Sequence, residues 1–463
     1  MVDRSLPLAE RDGDALPLHV VREGQLDSVC DDARRWAQAI GSDFDRGRVL
    51  PFPTAGGELA GVIAVIPRRD SVWDWAALPL ALPPRTFHLH DQSGFDPDIV
   101  AEGWALGSYR PDVKRRVSSP CSPACLIWPE GAERTRVRAG VEGMFLARDL
   151  INAPPNLLGP QDIVDACTRR FDGRSVSVNV LDERELAAQG YAGVLAVGAG
   201  SPRPPRVIDL RWGNPKHARV TLVGKGVCFD TGGLNLKNEA GMRHMKKDMG
   251  GAAIVIGLAH MIIARQLPVQ LRVLIAAVEN SIDGMAMRPG DVISTRAGLT
   301  VEIGNTDAEG RVVMCELLAE ADAESPDLLV DVATLTVGAR QALGPDVGAY
   351  FASRDATANA FQQAASEVSD PVWRLPLHAA YRKRIDSEVA DLVNIATNNP
   401  PGAIIAALFL ADFVSSNRDW LHLDVYGWNE AARPGRPAGG EATGMRALMA
   451  YLTARYGEGC EHE

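Results

Sequence analysis

The sequence predicts an α/β protein with two domains, a smaller N-terminal α/β domain and a larger C-terminal domain whose mainly parallel central sheet is flanked by helices. The chain has 463 residues, more than one hydrophobic core usually fills. After residue 155, apolar segments of strand length alternate with segments of helical periodicity. Several of these strands are apolar without alternation, as expected when helices cover both faces of a parallel sheet.

The predicted elements of the larger domain follow this alternation in chain order. The predicted strands are Val176–Leu181, Val207–Trp212, Val220–Val223, Leu271–Val278, Leu328–Leu335 and Trp420–Val425. The predicted helices are Pro160–Phe171, Gly250–Arg265, Glu309–Glu320, Gly402–Val414 and Thr443–Tyr456.

The domain boundary is predicted near a helix that joins the two parts. A helical pattern runs from Glu133 to Leu150 and stops before Pro154 and Pro155, because proline cannot continue a helix. We therefore expect an N-terminal domain over residues 1–135 and a C-terminal domain over residues 136–463, with 136–155 as the linking helix. Before the boundary the signals are weak, and Val117–Pro129 is predicted to be a surface connection.

Composition narrows the possible functions. Net charge is −11 and the pI is near 5.4, which argues against a broad nucleic-acid-binding face. Charged residues interrupt the first 16 positions, so no signal peptide is expected, and no apolar run reaches the ~18 residues that span a bilayer. The seven cysteines are scattered, and Cys121 and Cys125 have no second pair with which to form a zinc site. Reduced thiols and a cytoplasmic location are expected.

The segment Val223–Gly233 is the first candidate for chemistry. It follows an apolar strand, carries Lys225 and Asp230 in a predicted turn, and is followed by Lys237. Glycine-rich turns at strand ends let a backbone approach a ligand closely, although a tight connection with solvated lysines is an equal interpretation of these residues alone. The spacing does not match a phosphate-binding Walker loop.

Two further segments carry carboxylates beside glycines. Asp248 lies in Met245–Gly251, and Asp307 and Glu309 lie in Asn305–Arg311. Alone, the second segment favours a simple helix start, with Asp307 as N-cap and Glu309 in the first turn. If these loops meet Asp230 at one sheet edge, however, four carboxylates converge and require cations, typically two divalent metal ions. A nearly all-oxygen ligand set suits manganese, zinc or magnesium.

These segments together resemble the leucyl (cytosol) aminopeptidase family of two-metal exopeptidases. The family signature is Asn-Thr-Asp-Ala-Glu-Gly-Arg at 305–311, a highly specific match of seven residues. The segments 223–233, 245–250 and 331–336 match as well, and the resemblance covers the chain from about Leu106 to the C-terminal region. It implies that residues 136–463 form a catalytic metallopeptidase domain.

The resemblance also implies a set of metal ligands. Asp230 and Glu309 would bridge two divalent ions, manganese or zinc, with magnesium as a third candidate. Asp307 would complete one metal site, whereas Lys225 and Asp248 would complete the other. Lys225 can bind a metal only as a neutral amine, so metal binding must displace its proton.

Catalytic and pocket residues are implied in the same way. Lys237 and Arg311 would be catalytic, with a bicarbonate ion held at Arg311, since arginine cannot act as a general base. A formal charge count supports this set: four carboxylates cancel two dications, and Lys237 and Arg311 balance one hydroxide and one bicarbonate. Met245, Thr334 and Leu335 would line the side-chain pocket, although core packing is an equal interpretation of Met245.

The implied function is hydrolysis of peptides with a free N-terminus, releasing N-terminal residues with a leucine-like preference, in a homohexamer without membrane contact. A dipeptidase acting on cysteinyl-glycine and a DNA-binding regulator on the same scaffold are the alternatives. Three positions depart from the family pattern and bear on substrate preference. Val337 stands where a glycine is usual, Gly304 stands where a larger apolar residue is common, and Thr231 stands where a serine is frequent.

Overall fold

The computed structural model describes residues 5–10, 13–23, 29, 31–40, 49–67, 71–111, 122–396, 398 and 400–457, with the side chain of residue 32 excepted. The chain divides into two compact units. The N-terminal unit comprises Val2–Val141 with Ala431–Ala438, and the C-terminal unit comprises Glu142–Glu430 with Gly439–Glu463. Cys30, Cys121, Cys460 and part of the predicted connection Val117–Pro129 lie outside the described residues.

The N-terminal unit is an α/β unit around one sheet. Its described strands pair in the order β1-β6-β5-β2-β4-β3, with β3 antiparallel to β4 and the other pairs parallel. The strands are β1 Leu8–Ala9, β2 Leu16–Arg22, β3 Val49–Pro53, β4 Leu59–Ile66, β5 Thr86–Leu89 and β6 Cys125–Ile127. The helices are α1 Asp31–Ala39, α2 Val72–Ala76, α3 Leu78–Ala81 and α4 Pro97–Gly107. Helix α5, Arg134–Asn152, contains the division between the two units.

The C-terminal unit alternates strands and helices. Its strands are β7 Ser177–Leu181, β8 Arg206–Trp212, β9 Ala218–Asp230, β10 Val269–Asn280, β11 Val292–Ser294, β12 Thr300–Glu302, β13 Leu328–Ala333, β14 Gly348–Ala352, β15 Val372–Arg374, β16 Leu392–Val393, β17 Trp420–Asp424, β18 Trp428–Asn429 and β19 Gly439–Gly440. Its helices are α6 Pro160–Phe171, α7 Glu183–Ala188, α8 Ala192–Gly198, α9 Glu239–Met242, α10 Gly250–Ala264, α11 Glu309–Ala323, α12 Val337–Leu343, α13 Asp355–Glu367, α14 Gly402–Ala411 and α15 Met445–Tyr456. Short 3-10 turns cover Met245–Met249, Thr306–Ala308 and Ala379–Ile385.

The main sheet of this unit has a parallel centre. Its order, over the part of the chain that the structure describes, is β15-β14-β17-β13-β9-β10-β8-β7. Strands β17, β13, β9 and β10 run parallel, whereas β14 and β8 join as antiparallel neighbours. Every residue of β13 is buried, which explains why this strand is apolar without alternation. The predicted α/β class, with two domains and a mainly parallel sheet flanked by helices, is confirmed.

Helix α10 is a core helix, as predicted. With the preceding 3-10 turn it forms the stretch Met245–Ala264, which by length and composition alone could cross a membrane. However, 94% of its apolar window is buried inside the protein. Its apolar character is therefore explained by packing in the core.

The predicted extent of β9 is wrong. The expected strand ended at Val223, with Lys225 in the following turn, but the strand continues to Asp230 and contains Lys225. Gly224 and Gly226 interrupt the apolar pattern for a packing reason. A Cβ on Gly224 would lie 2.8 Å from Cα of Ala252 in α10, and a Cβ on Gly226 would lie 2.5 Å from a main-chain oxygen of β10. The glycines therefore permit close packing within a continuous strand.

Three cysteines of the described chain, Cys167, Cys228 and Cys315, are free thiols. Cys125 is half-buried, and Cys167, Cys228 and Cys315 are buried. Burial raises the pKa of Cys167 to about 12, so this thiol stays protonated at neutral pH.

Candidate active site

A cavity of about 510 Å³ lies in the C-terminal unit, where β9 and β13 end. Every residue that the sequence assigned to the site lines this cavity: Lys225, Asp230, Lys237, Met245, Asp248, Asp307, Glu309, Arg311, Thr334 and Leu335. The chain passes from β9 to β10 on one side of β9 and later to β13 on the other. Such a change of direction opens a crevice at the carboxyl ends of the strands.

Each carboxylate is positioned by the end of a regular element. Asp230 is the last residue of β9, and Asp248 lies in the 3-10 turn that leads into α10. Asp307 lies in the next 3-10 turn, and Glu309 begins α11. Short segments that are distant in sequence therefore converge at one edge of the sheet.

Three carboxylates form a tight cluster in this cavity. One oxygen from each of Asp230, Asp307 and Glu309 lies within 4.8 Å of the others. Asp230 and Glu309 are almost fully buried, whereas Asp307 is exposed at the mouth of the cluster. This separation allows the three oxygens to share a cation.

Two lysines lie among the carboxylates. Lys225 places Nζ 2.7 Å from Asp248 Oδ2 and 2.9 Å from Glu309 Oε1. Lys237 places Nζ 2.7 Å from Asp230 Oδ2 and also pairs with Asp307. Four carboxylates thus meet only two ammonium groups within this cluster, so negative charge is in excess.

The excess negative charge perturbs the acids. Burial, followed by the charge of Asp230, raises the pKa of Glu309 to about 8. The same two causes raise the pKa of Asp307 to about 6. Burial alone would lower the pKa of Lys225, but the neighbouring carboxylates, chiefly Asp248, outweigh it and raise the pKa. The cluster favours bound protons or other cations.

The interpretation of Asp307 as a helix N-cap is wrong. Asn305 caps the 3-10 turn, because its Oδ1 accepts a hydrogen bond from the Asp307 backbone N–H at 2.7 Å. Residue Ala308 occupies the N-cap position of α11. The carboxylate of Asp307 is thereby left to face Lys237.

Two supporting contacts are absent from the sequence predictions. Asn280 donates through Nδ2 to Asp230 Oδ1 at 2.8 Å and to the Thr306 carbonyl at 3.0 Å. Asn280 is the last residue of β10 and pairs directly with Asp230 across the sheet. In the sequence, the signal for this contact was a polar residue at the end of an apolar strand. Thr334 lines the cavity as predicted, but its hydroxyl also donates to Asp248 Oδ1 at 2.8 Å and its carbonyl accepts from Lys225 at 3.1 Å.

Arg311 lies in the first turn of α11 and is only 6% exposed. Its Nε and Nη1 atoms have no hydrogen-bond partner among the described residues. Burial lowers the pKa of Arg311 to about 10, and the charges of Glu309 and Asp424 oppose that shift only in part. A buried guanidinium with free donors at a cavity wall is suited to hold a small anion.

Comparison with known proteins agrees with this geometry. The profile of the cytosol aminopeptidase family, catalytic domain, matches residues 145–449, and that of the M17 aminopeptidase N-terminal domain matches residues 16–129. A probable cytosol aminopeptidase of Streptomyces coelicolor is 34% identical over 457 residues, 89% of this chain and 88% of that protein. One from a Synechococcus strain is 40% identical over 323 residues, which are 68% of this chain and 64% of that protein.

Two solved structures share the fold. The cytosol aminopeptidase of Coxiella burnetii has a TM-score of 0.92 and 42% identity, covering 97% of this chain and 99% of that one. The bottromycin maturation enzyme BotP, solved in complex with Mn, has a TM-score of 0.86 and 34% identity, covering 95% and 99%.

The fold, the cavity and these matches define the protein as a peptidase, a hydrolase built on an α/β catalytic domain. The family resemblance inferred from the motifs is confirmed. The chain belongs to the cytosol aminopeptidase family, and this membership supports an aminopeptidase function.

Proposed function

We propose that this protein is a metal-dependent aminopeptidase that releases N-terminal residues from peptides by means of two divalent ions. The observation that carries the proposal is the cluster of Asp230, Asp307 and Glu309, whose oxygens lie within 4.8 Å of one another in the cavity. Asp248 and Lys225 extend this cluster on the far side of Glu309.

The donor set fits the proposed ions. Asp230 and Glu309 would be shared between two ions, Asp307 would complete one site, and Lys225 and Asp248 would complete the other. When bound, the ions supply a Lewis acid and an activated water near neutral pH. Manganese or zinc is proposed, with magnesium as a third candidate, since oxygen ligands dominate. BotP, a structural neighbour at 34% identity, was solved with Mn.

Lys237 is proposed to stabilise charge on the scissile carbonyl oxygen. Burial alone would lower the pKa of Lys237, but the neighbouring carboxylates, chiefly Asp230, outweigh it and raise the pKa. The side chain therefore remains protonated while 15% of it is exposed toward the cavity. A cation in this position stabilises oxygen charge that grows in the tetrahedral transition state.

Arg311 is proposed to hold a bicarbonate ion, which when bound would supply a proton acceptor in the cavity. Its buried Nε and Nη1 donors support this role, because buried guanidinium donors are costly to leave unpaired. Arginine stays charged and cannot take the proton itself. Arg311 thus positions the proton acceptor.

The pocket and the assembly complete the proposal. Met245, Thr334 and Leu335 line the cavity beside the carboxylates and are proposed to receive the N-terminal side chain. A cytoplasmic homohexamer is proposed from the family resemblance, and light scattering on the purified protein would test it. The dipeptidase and DNA-binding alternatives are not favoured by the family matches.

The decisive experiment is an add-back assay on metal-stripped protein. Hydrolysis of aminoacyl amides should be lost on chelation and restored when manganese, zinc or magnesium is added singly. Activity on N-acetylated substrates should stay absent, because the free amine is needed. Undiminished hydrolysis after complete metal removal would refute the proposal.

A further inference from the structure

The pocket contains a buried lysine that the proposed mechanism does not use. Lys247 lines the cavity and is only 5% exposed. It has no carboxylate within ion-pair distance and no hydrogen-bond partner for its ammonium group among the described residues. Its contact is with Tyr426, whose ring centroid lies 4.7 Å from Nζ.

The ammonium group of Lys247 has no ion-pair partner among the residues of the cavity that the structure describes. The carboxylates and cations of the proposed catalytic site cancel one another when Lys225 is neutral. Arg340, the other cation at the cavity wall, pairs with Glu430 at 3.1 Å. The charge of the buried Asp424 acts on Lys247 only from beyond ion-pair distance, and burying a charge without a direct partner is costly. An anionic group that enters the cavity would supply that partner.

The location of Lys247 identifies where that partner binds. A Cβ on Gly427 would lie 3.1 Å from Thr334 Cγ2 and 3.7 Å from the Lys247 carbonyl, so Lys247 and Thr334 border the same residue. Tyr426 precedes Gly427 and also lines the cavity. Lys247 therefore lies near Thr334, in the part of the cavity that is proposed to receive the substrate's N-terminal side chain.

The Tyr426 ring holds a second cation at this wall. The Arg340 guanidinium lies 4.6 Å from the ring centroid, and its Nη1 donates to the tyrosine hydroxyl at 3.1 Å. Cations near an aromatic face are attracted to the ring, so Tyr426 fixes both side chains without neutralising either. Because Glu430 pairs with Arg340, Lys247 is the cation at this aromatic wall without an ion pair among the described residues, and the wall differs from a purely aliphatic pocket.

We propose that Lys247 gives this enzyme a preference for peptides whose N-terminal residue is acidic, with the glutamate or aspartate carboxylate bound by the lysine ammonium group. The inference rests on the proposed aminopeptidase function and specifies its substrate class. Leucine-like residues remain substrates, because Met245 and Leu335 supply apolar contacts in the same cavity.

The test compares glutamyl and glutaminyl amides, which have the same shape and differ in charge. Neither carries a C-terminal carboxylate, so any charge effect belongs to the N-terminal side chain. The kcat/KM of the wild-type enzyme should be higher for the glutamyl amide. In Lys247→Met the ratio of the two values should fall roughly tenfold to a hundredfold, the range expected for a lost hydrogen bond to a charged group.

Two variants control for indirect effects. Lys246→Met removes the neighbouring lysine, which instead donates to the Asn152 carbonyl at 2.7 Å, and should leave the ratio unchanged. Lys247→Arg retains the charge and should preserve much of the preference. Leucyl amide reports whether each variant remains an active, folded enzyme.

Each contrary result has a distinct meaning. A wild-type ratio at or below one, or a ratio that Lys247→Met leaves unchanged, would overturn the inference while hydrolysis of leucyl amide upholds the proposed function. A Lys247→Met defect confined to dipeptides would assign the lysine to a C-terminal carboxylate and also overturn it. Hydrolysis of no amide with any metal would overturn the proposed function and this inference with it.

Discussion

Replacing Thr334 by valine tests how the cluster is supported, because it removes one hydroxyl with little change in side-chain volume. The hydroxyl lies 2.8 Å from Asp248 Oδ1 and 2.9 Å from the Asp248 carbonyl, so its one proton is donated to Asp248, whose side chain is almost fully buried. The threonine methyl packs beside Gly250 and Gly427, and valine retains that contact. The substitution therefore acts on the carboxylate more than on the packing.

The expected magnitude follows from the lost contact. A hydrogen bond to a charged group contributes about 1.5–3 kcal/mol, and a factor of ten in affinity corresponds to about 1.4 kcal/mol. Groups that orient metal ligands typically change metal affinity about 10–100-fold when removed. Both estimates predict that Thr334→Val weakens binding of manganese or zinc at the site proposed for Lys225 and Asp248 by roughly tenfold to a hundredfold.

Calorimetric titration of metal-stripped protein measures this effect directly. Thr334→Ser retains the hydroxyl and should bind metal nearly as tightly as wild type. Thermal melting of each variant checks that the fold is retained. Equal affinities for wild type and Thr334→Val, or an equal loss in the serine variant, would refute the role assigned to the hydroxyl.

Three further predictions address other parts of the protein. Glu309→Gln should lower kcat/KM by more than roughly a hundredfold. Glu239→Gln, at an exposed position of α9, should leave kcat/KM nearly unchanged. A similar loss of kcat/KM in both variants would contradict the assignment of Glu309 to the metal-binding cluster. Arg311→Ala should retain metal binding in calorimetry but lose turnover and any gain from added bicarbonate; full activity would remove Arg311 from the mechanism. Burial, together with His90 and His88, lowers the pKa of His19 to about 4, so the unfolded state binds more protons below pH 6.5. Stability should therefore fall as pH drops from 6.5 toward 4, by less in His19→Phe; equal melting profiles would refute this.

The fold class could be predicted because it depends on short, local signals, whereas the assignment of the site residues depended on the resemblance of several motifs to a known family. Asp230, Asp248 and Glu309 each lie beside glycines at the end of a strand or the start of a helix. Carboxyl ends of neighbouring parallel strands meet at one edge, so the topology brings such residues together. The convergence of all these positions on one cavity required only the order of the strands.

Other features depend on contacts between distant segments. Gly224 and Gly226 interrupt the apolar pattern of β9 because a helix and a neighbouring strand pack against them, which no local pattern reveals. The support of Asp230 by Asn280 depends on the register between β9 and β10. Lys247 could not be distinguished from its neighbour Lys246 in the sequence, since only the fold shows which of the two lines the cavity.

The edges of both sheets were also beyond local prediction. Strands β14 and β15 are short; β14 joins the sheet by pairing with β17, and β15 forms the edge by pairing with β14. In the N-terminal unit, β1 and β6 have only two and three residues, and β6 pairs with both β1 and β5. Such strands are specified by their partners more than by their own periodicity.

Anomalous X-ray diffraction from crystals grown with manganese would locate the ions that the carboxylate cluster binds. Two anomalous peaks per chain are expected, both enclosed by Asp230, Asp248, Asp307 and Glu309, with Lys225 beside one of them. Peaks elsewhere, or none among these carboxylates at saturating manganese in an active enzyme, would contradict the proposed two-metal site.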